Sequence, residues 1–164
     1  MIRRPAWLLL PLSALLLDWG SKSWILQSIP KGETREVIPG FFNLTLGFNE
    51  GAIFGSLTGL PEWVRFALFT VAGVAALFYF GHLFMRAATP TVERVALGLI
   101  LGGAMGNGMD RLAHGHVVDF LDFVLAGWHY WTFNLADCFI VAGAILWGLQ
   151  SLRGRAPEDA PAKS

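Results

Sequence analysis

Charge is what this sequence has least of. Of its 164 residues only 15% are Asp, Glu, Lys or Arg, where a soluble domain carries about a quarter. With 54% of the residues hydrophobic, too few polar side chains remain to clothe a water-facing surface, and the balance points to lipid. Charge of one sign is missing too. The formal net charge is zero, which removes the basic surface that nucleic-acid binding needs. Cys138 is the single cysteine, so neither an internal disulfide nor a CxxC metal site can form, and the redox compartment is not legible from cysteine usage. No HExxH, GxSxG or GxxxxGK[ST] pattern occurs, which leaves zinc hydrolysis, a serine nucleophile elbow and a phosphate loop without their usual residues.

What is abundant is long apolar sequence. Four runs, 6–29, 63–84, 92–109 and 131–149, each approach the roughly 20 residues with which an α-helix crosses the hydrocarbon core. They are too long and too uniformly apolar for the alternating strands of a barrel. The first run, behind Arg3 and Arg4, also has the look of a secretory signal. Asp18 and Lys22 lie inside it, no small-x-small cleavage site follows, and it is expected to stay as a helix. The fold expected is an all-α membrane protein of four spans, forming one domain over 1–152, with a polar cytoplasmic tail at 153–164.

Seven of the twelve Lys and Arg (Arg3, Arg4, Arg86, Arg94, Arg153, Arg155 and Lys163) fall on the side that holds both termini, which places that side in the cytoplasm. Two outward loops remain, 30–61 and 111–130. In the first, Phe42, Leu44, Leu46 and Phe48 alternate with Asn43, Thr45, Gly47 and Asn49, a period of two that reads as a strand. The turn Asn49-Glu50-Gly51 can reverse it into 52–57, giving a small β-sheet cradle in this loop. In the second, Trp128, Tyr130 and Trp131 suit an interfacial aromatic belt.

Ionisable side chains in or beside a span are costly and mark function by default. Gly98, Gly102 and Gly106 recur every fourth residue, a small-residue face for close helix packing. Asn107, Asp110 and Arg111 follow on one turn, and Asp18 and Lys22 are spaced i, i+4 with the acid first. Two carboxylates stand out. Asp119 is embedded in Val117-Val118-Asp119-Phe120, and Asp137 opens the fourth run after Phe133-Asn134-Leu135-Ala136. Both fall on the outward side. If they approach each other, repulsion and desolvation raise one pKa, so one is protonated while the other is ionised near neutrality. His114, His116 and His129 share the second loop, but a loop histidine pair is more often a solvated surface than a metal site.

In these residues the chain resembles the lipoprotein signal peptidases (signal peptidase II), bacterial inner-membrane aspartyl peptidases. Five blocks in order carry the resemblance: Asp18-Trp19-Gly20-Ser21-Lys22; Asn49-Glu50-Gly51-Ala52-Ile53-Phe54-Gly55; Gly102 through Arg111; Val117-Val118-Asp119-Phe120; and Phe133-Asn134-Leu135-Ala136-Asp137. Trp19, Ile53 and Gly108 depart from the family's common residues, none of them in the dyad. The resemblance implies Asp119 and Asp137 as the catalytic pair. It implies Asp18, Lys22, Asn49, Gly51, Phe54, Asn107, Asp110, Arg111 and Asn134 as substrate-binding or supporting residues. It implies a diacylglyceryl-modified prolipoprotein as substrate, cut before the lipidated cysteine by an acid–base activated water, in contact with membrane lipid. No metal, organic cofactor or nucleic acid is expected, and the chain is expected to act as a monomer. Two other classes compete: a small proton-coupled transporter using Asp18, Asp110 and Asp137 as a relay, and an assembly factor that binds other spans.

Overall fold

The computed structural model describes residues 4–50, 59–86, 89–125 and 127–153. Four long helices dominate it: α1 (Leu9–Ser28), entered through a 3₁₀ turn at Arg4–Leu8, α2 (Glu62–Met85), α3 (Thr91–His114) and α4 (Leu135–Arg153). Four strands follow the helices in two groups: β1 (Thr34–Ile38) and β2 (Phe42–Asn49) between α1 and α2, and β3 (Val117–Leu125) and β4 (Trp128–His129) between α3 and α4. The sheet is antiparallel throughout, in the order β1-β2-β3-β4.

The burial pattern is turned inside out relative to a water-soluble helix. On α1 the inward face is Pro11, Ala14, Asp18, Lys22 and Ile25, residues spaced three and four apart on one side of the helix. Leu9, Leu12, Leu16 and Trp19 point outward. Outward-facing Val71, Phe78 and Met85 on α2 and Val141, Ile145 and Leu149 on α4 continue the pattern. Two stretches, Trp63–Met85 and Leu135–Leu152, are long and apolar enough to cross a membrane by length and composition alone. The buried faces of α1 and α3 carry polar side chains, Asp18 and Lys22 on the first and Asn107 and Asp110 on the second.

α3 is the hub, packed on α1, α2 and α4, and its small residues permit this. A methyl group at Gly102 would meet Ala14 and the Pro11 carbonyl of α1, one at Gly106 would land on the Asp18 carboxylate, and one at Gly103 would strike the Ala136 carbonyl of α4. Two sides of α3 are thus pared to backbone, and close approach there is what brings α1 and α4 within side-chain reach of each other.

The structure revises three boundaries. α3 does not end at 109. It runs through Asp110 and Arg111 to His114, and Gly115 closes it in a left-handed conformation (φ 77°) with its N–H donating to the Arg111 carbonyl, the usual glycine stop. α4 starts at Leu135, not 131. The segment expected as a second loop, 111–130, holds β3 and β4 instead. The strand expected at 42–48 is present as β2, but its neighbours are β1 and β3; the expected partner 52–57 lies outside the described residues, as do Gly51 and Phe54. The sheet is therefore built from both inter-helix connections. Val118 and Phe120 of β3 and Leu46 of β2 pack on Ile25 and Ile29 at the end of α1, which seats the sheet on the helices.

Candidate active site

Asp119 and Asp137 reach the same place from different elements. Asp119 is on β3, opposite Gly47 of β2. Asp137 is in the first turn of α4. Asn134 joins them. Its Oδ1 accepts from the Asp137 N–H at 3.0 Å, while its own N–H donates to Asp137 Oδ2 at 3.3 Å. This reciprocal pair is a capping box, with Asn134 as N-cap and Asp137 three residues on. Since Oδ1 is committed to the cap, Nδ2 faces the other way. It donates to Asp119 Oδ1 at 2.7 Å, with Asn107 Oδ1 (3.1 Å) and the Val118 carbonyl (3.3 Å) also in range. Fully buried, one asparagine therefore touches both carboxylates and starts the helix that carries one of them.

Two more asparagines complete the grip. Asn49, the last residue of β2, donates Nδ2 to Asp119 Oδ2 at 3.0 Å. Asn107 of α3 donates Nδ2 to Asp137 Oδ1 at 2.8 Å. The Asn107 amide is itself oriented, because its Oδ1 accepts from Lys22 Nζ at 3.0 Å and from Asn134. A chain of aligned dipoles thus runs from the Lys22 ammonium through Asn107 to Asp137, each bond polarising the next.

Lys22 is buried to 2% exposure and Asp18 to 1%. A lone charge so placed would be heavily penalised, and partners are what make the site tolerable. Lys22 Nζ lies 2.7 Å from Asp18 Oδ2 and 2.9 Å from Asp110 Oδ2, and donates a hydrogen bond to the Asn107 carbonyl oxygen. The two aspartates also hold backbone. Asp18 Oδ1 accepts the Ala136 N–H at 2.9 Å, one of the donors an N-terminal helical turn leaves open, and Asp110 Oδ2 accepts the Val118 N–H at 3.1 Å. The Asp18–Lys22 pair expected from spacing is present. What it does could not be read from spacing: Asp18 caps α4 beside Asp137, and Lys22 holds Asp110, which anchors the start of β3 beside Asp119.

Electrostatically the two carboxylates are coupled. Burial raises the Asp119 carboxyl to about 7, and the neighbouring Asp137 charge pushes the same way; the hydrogen bonds from Asn49 and Asn134 oppose both by favouring the ionised form. Arg111 lies with its guanidinium 5.2 Å from the centre of the Phe69 ring on α2, and its charge interacts with Asp137, Asp119 and Asp110.

This arrangement has a counterpart in known proteins. A family model described as Signal peptidase (SPase) II matches residues 10–153. The chain belongs to that family. It is 48% identical over 147 residues to the lipoprotein signal peptidase of Ralstonia nicotianae, covering 90% of this chain and 84% of that one. It is 44% identical over 147 residues to the lipoprotein signal peptidase of Burkholderia vietnamiensis, covering 90% and 87%. Two solved bacterial membrane enzymes, both determined by the in meso method, share its fold. One aligns with TM-score 0.82 at 28% identity over 98% of this chain and 95% of its own; the other with TM-score 0.79 at 31% identity over 91% and 94%. The protein is a bacterial membrane peptidase of the aspartic type.

Of the site residues expected from the peptidase's sequence, Asp18, Lys22, Asn49, Asn107, Asp110, Asn134, Asp119 and Asp137 form one connected network. His114 and His116 lie with ring centres 5.9 Å apart and His116 packs on Phe48, whereas His129 is on β4 against Asp122. Sequence reasoning missed Asp122 and its partner Asn43. Alternation alone could not have found the pair, because the register shift between Leu44 and Gly47 of β2 is what sets Asn43 opposite Asp122.

Proposed function

We propose that Asp119 and Asp137 are the catalytic dyad of this peptidase and that it removes the signal peptide from lipid-modified prolipoproteins. The observation that carries the assignment is the meeting of both carboxylates on Asn134. They are held by amides, which fix position without supplying the neutralising charge that would quench acid–base work.

With the Asp119 carboxyl at about 7, the pair holds one proton near neutrality and titrates as a unit. Its carboxylate takes a proton from a water, whose oxygen attacks the scissile carbonyl carbon. Its carboxyl gives a proton to the carbonyl oxygen; the proton taken from water then passes to the amine nitrogen as the C–N bond breaks, and a hydroxyl on the tetrahedral carbon returns its proton to the dyad. No covalent intermediate with the protein is required. Asn49, Asn107 and Asn134 hold the carboxyls, and Asp18, Lys22 and Asp110 hold the asparagines and the backbone on which the carboxyls ride.

The four helices are spans of a single domain, with both termini in the cytoplasm, the tail beyond α4 on that side, and the dyad at the outer face of the bacterial inner membrane. The Lys and Arg bias supports this orientation, and the buried charges of α1 and α3, facing the other helices and not outward, support spans whose own polar groups are paired internally. The substrate class is a prolipoprotein carrying a diacylglyceryl-modified cysteine, cut on the N-terminal side of that residue, and the working unit is a monomer. Family membership sets the transporter reading aside, because it accounts for the paired aspartates through hydrolysis.

The test is incubation of the purified protein with a diacylglyceryl-modified prolipoprotein and with the same chain lacking the lipid. Cleavage of the modified form alone is expected. Equal cleavage of both would remove lipid recognition from the function, and cleavage of neither would overturn it.

A further inference from the structure

Asp122 is a buried carboxylate that the proposed reaction leaves unused. It lies on β3 three residues after Asp119, at 5% exposure, and strand alternation sends its side chain to the opposite face. Two side chains hold it. Asn43 of β2 donates Nδ2 to Oδ2 at 2.9 Å, and His129 of β4 presents Nδ1 at 2.9 Å from Oδ2 and 3.1 Å from Oδ1. Asn43 is the register partner of Asp122, and His129 sits opposite Val124, which puts it on the same-face diagonal from Asp122. One side-chain ladder therefore crosses three neighbouring strands. Val118 and Phe120, on the same face of β3, are apolar core. A carboxylate in that row costs desolvation that an apolar residue would not, unless its oxygens are met as they are here.

The ladder matters because of what hangs from the two arms it joins. The outgoing arm, β3, carries Asp119. The returning arm follows the edge of β3: the Tyr130 N–H donates to the Phe123 carbonyl at 2.6 Å, the Phe133 N–H to the Leu121 carbonyl at 3.1 Å, and the Phe120 and Leu121 N–H groups to the Phe133 carbonyl at 2.9 and 2.8 Å. Phe123 stacks on Phe133 between the arms. The next residue is Asn134, and one helical turn later comes Asp137. The two aspartates are thus mounted on opposite arms of one hairpin, and a slip between the arms changes their separation directly. Asp122 and His129 cross-link those arms by side chain. Asn43 ties the cross-link to β2, whose last residue, Asn49, holds Asp119.

We infer that the Asn43–Asp122–His129 ladder is a positioning element of the peptidase reaction, keeping the hairpin arms in the register that sets the working separation of Asp119 and Asp137. The inference rests on the dyad proposed above. His129 is a positioning residue, acting through backbone register.

The experiment measures kcat and KM for cleavage of the lipid-modified substrate by the wild type, His129→Phe and His129→Gln, with unfolding temperature in detergent as a control. His129 is 67% exposed, so neither variant threatens the core. Phenylalanine keeps the ring and loses the donor; glutamine keeps a donor. A displacement of the reacting carboxyls by a fraction of an ångström lowers kcat about tenfold in His129→Phe with KM changed less than about twofold, and His129→Gln recovers to within about threefold of wild type. Wild-type kcat in His129→Phe would overturn the ladder's role, as would a raised KM with kcat intact, or glutamine serving no better than phenylalanine. A wild-type protein that leaves the lipid-modified substrate uncut would instead overturn the proposed function.

Discussion

The molecule holds two pairs of aspartates, and it treats them differently. Asp18 and Asp110 share an ammonium: Lys22 stands 2.7 and 2.9 Å from them. Asp119 and Asp137 share a neutral residue: Asn134 meets the first with its side-chain amide and the second with its backbone N–H, with Asn49 and Asn107 on the outer sides. All four carboxylates are supported by hydrogen bonds, so satisfaction of polar groups does not distinguish the pairs. Charge does. A cation within 3 Å balances the charge of a buried carboxylate. A neutral amide fixes position and leaves a proton free to come and go. The first pair holds elements together, and the second is the one proposed to exchange protons.

The largest effect should come from replacing a member of the amide-held pair. Asp119→Asn or Asp137→Asn removes the proton acceptor while keeping the shape, and cleavage should fall about 10²–10⁴-fold, the usual contribution of a positioned acid or base. Protein level and unfolding temperature should stay near wild type. Retained cleavage in either variant would dissolve the distinction between the pairs.

Lys22→Met attacks the other side of the comparison. It strands two buried carboxylates and releases Asn107, and removing one partner of a buried ion pair costs about 3–5 kcal/mol. Thermal unfolding in detergent should show the loss, with activity falling at least in step with folded protein. Adding Asp18→Asn and Asp110→Asn to Lys22→Met should recover part of the stability, because the stranded charges are gone. No recovery would mean that the lysine serves by something other than neutralisation.

Asn134 lies between the two cases, since it serves stability as a cap and chemistry as an anchor. Asn134→Ala should cost about 1 kcal/mol in stability, the usual worth of a helix cap. Its activity should drop well beyond that, with kcat affected and the fraction folded hardly changed. Losses of activity and stability in proportion would reduce Asn134 to a cap.

How far this division was legible in the sequence depends on distance along the chain. The Asp18–Lys22 pair was legible because i, i+4 spacing on a helix is a local rule. The strand at β2 was legible because one of its faces is polar, so alternation survives. β3 was not. Val117, Val118, Asp119 and Phe120 are buried on both faces, so the run carries no alternation and reads as featureless apolar sequence. The common turn of Asn107, Asp110 and Arg111 was legible from spacing, whereas the partner that answers Asp110 was not. Lys22 answers it from another helix, 85 residues away from Asn107. Asn134 was placed inside a helix, whereas its identity as a cap required knowing that α4 begins one residue later. Asp122 and His129 were adjacent in neither sequence nor pattern, and only the hairpin brings them together.

The smallest effect is the most specific to the amide-held pair. The Asn49 hydrogen bond favours the ionised form of Asp119, while burial and the Asp137 charge favour the protonated one. Asn49→Ala removes an interaction of the first kind, so the apparent midpoint of the proposed dyad should move slightly upward from about 7. The rate profile against pH should move with it. Stability supplies an independent sign. Folded Asp119 keeps its proton up to about pH 7, whereas the free carboxyl releases it near 3.8. Between those values the folded state binds more protons, so Asp119's contribution to stability is fully present below the lower value and is lost as pH rises through the upper one. In Asn49→Ala that loss should extend to higher pH, and Asp119→Asn should abolish this part of the pH dependence in either background. A profile that moves downward in Asn49→Ala would mean that the asparagine holds the protonated carboxyl, and the contrast between amide-held and cation-held aspartates would then have to be redrawn around which proton the amide protects.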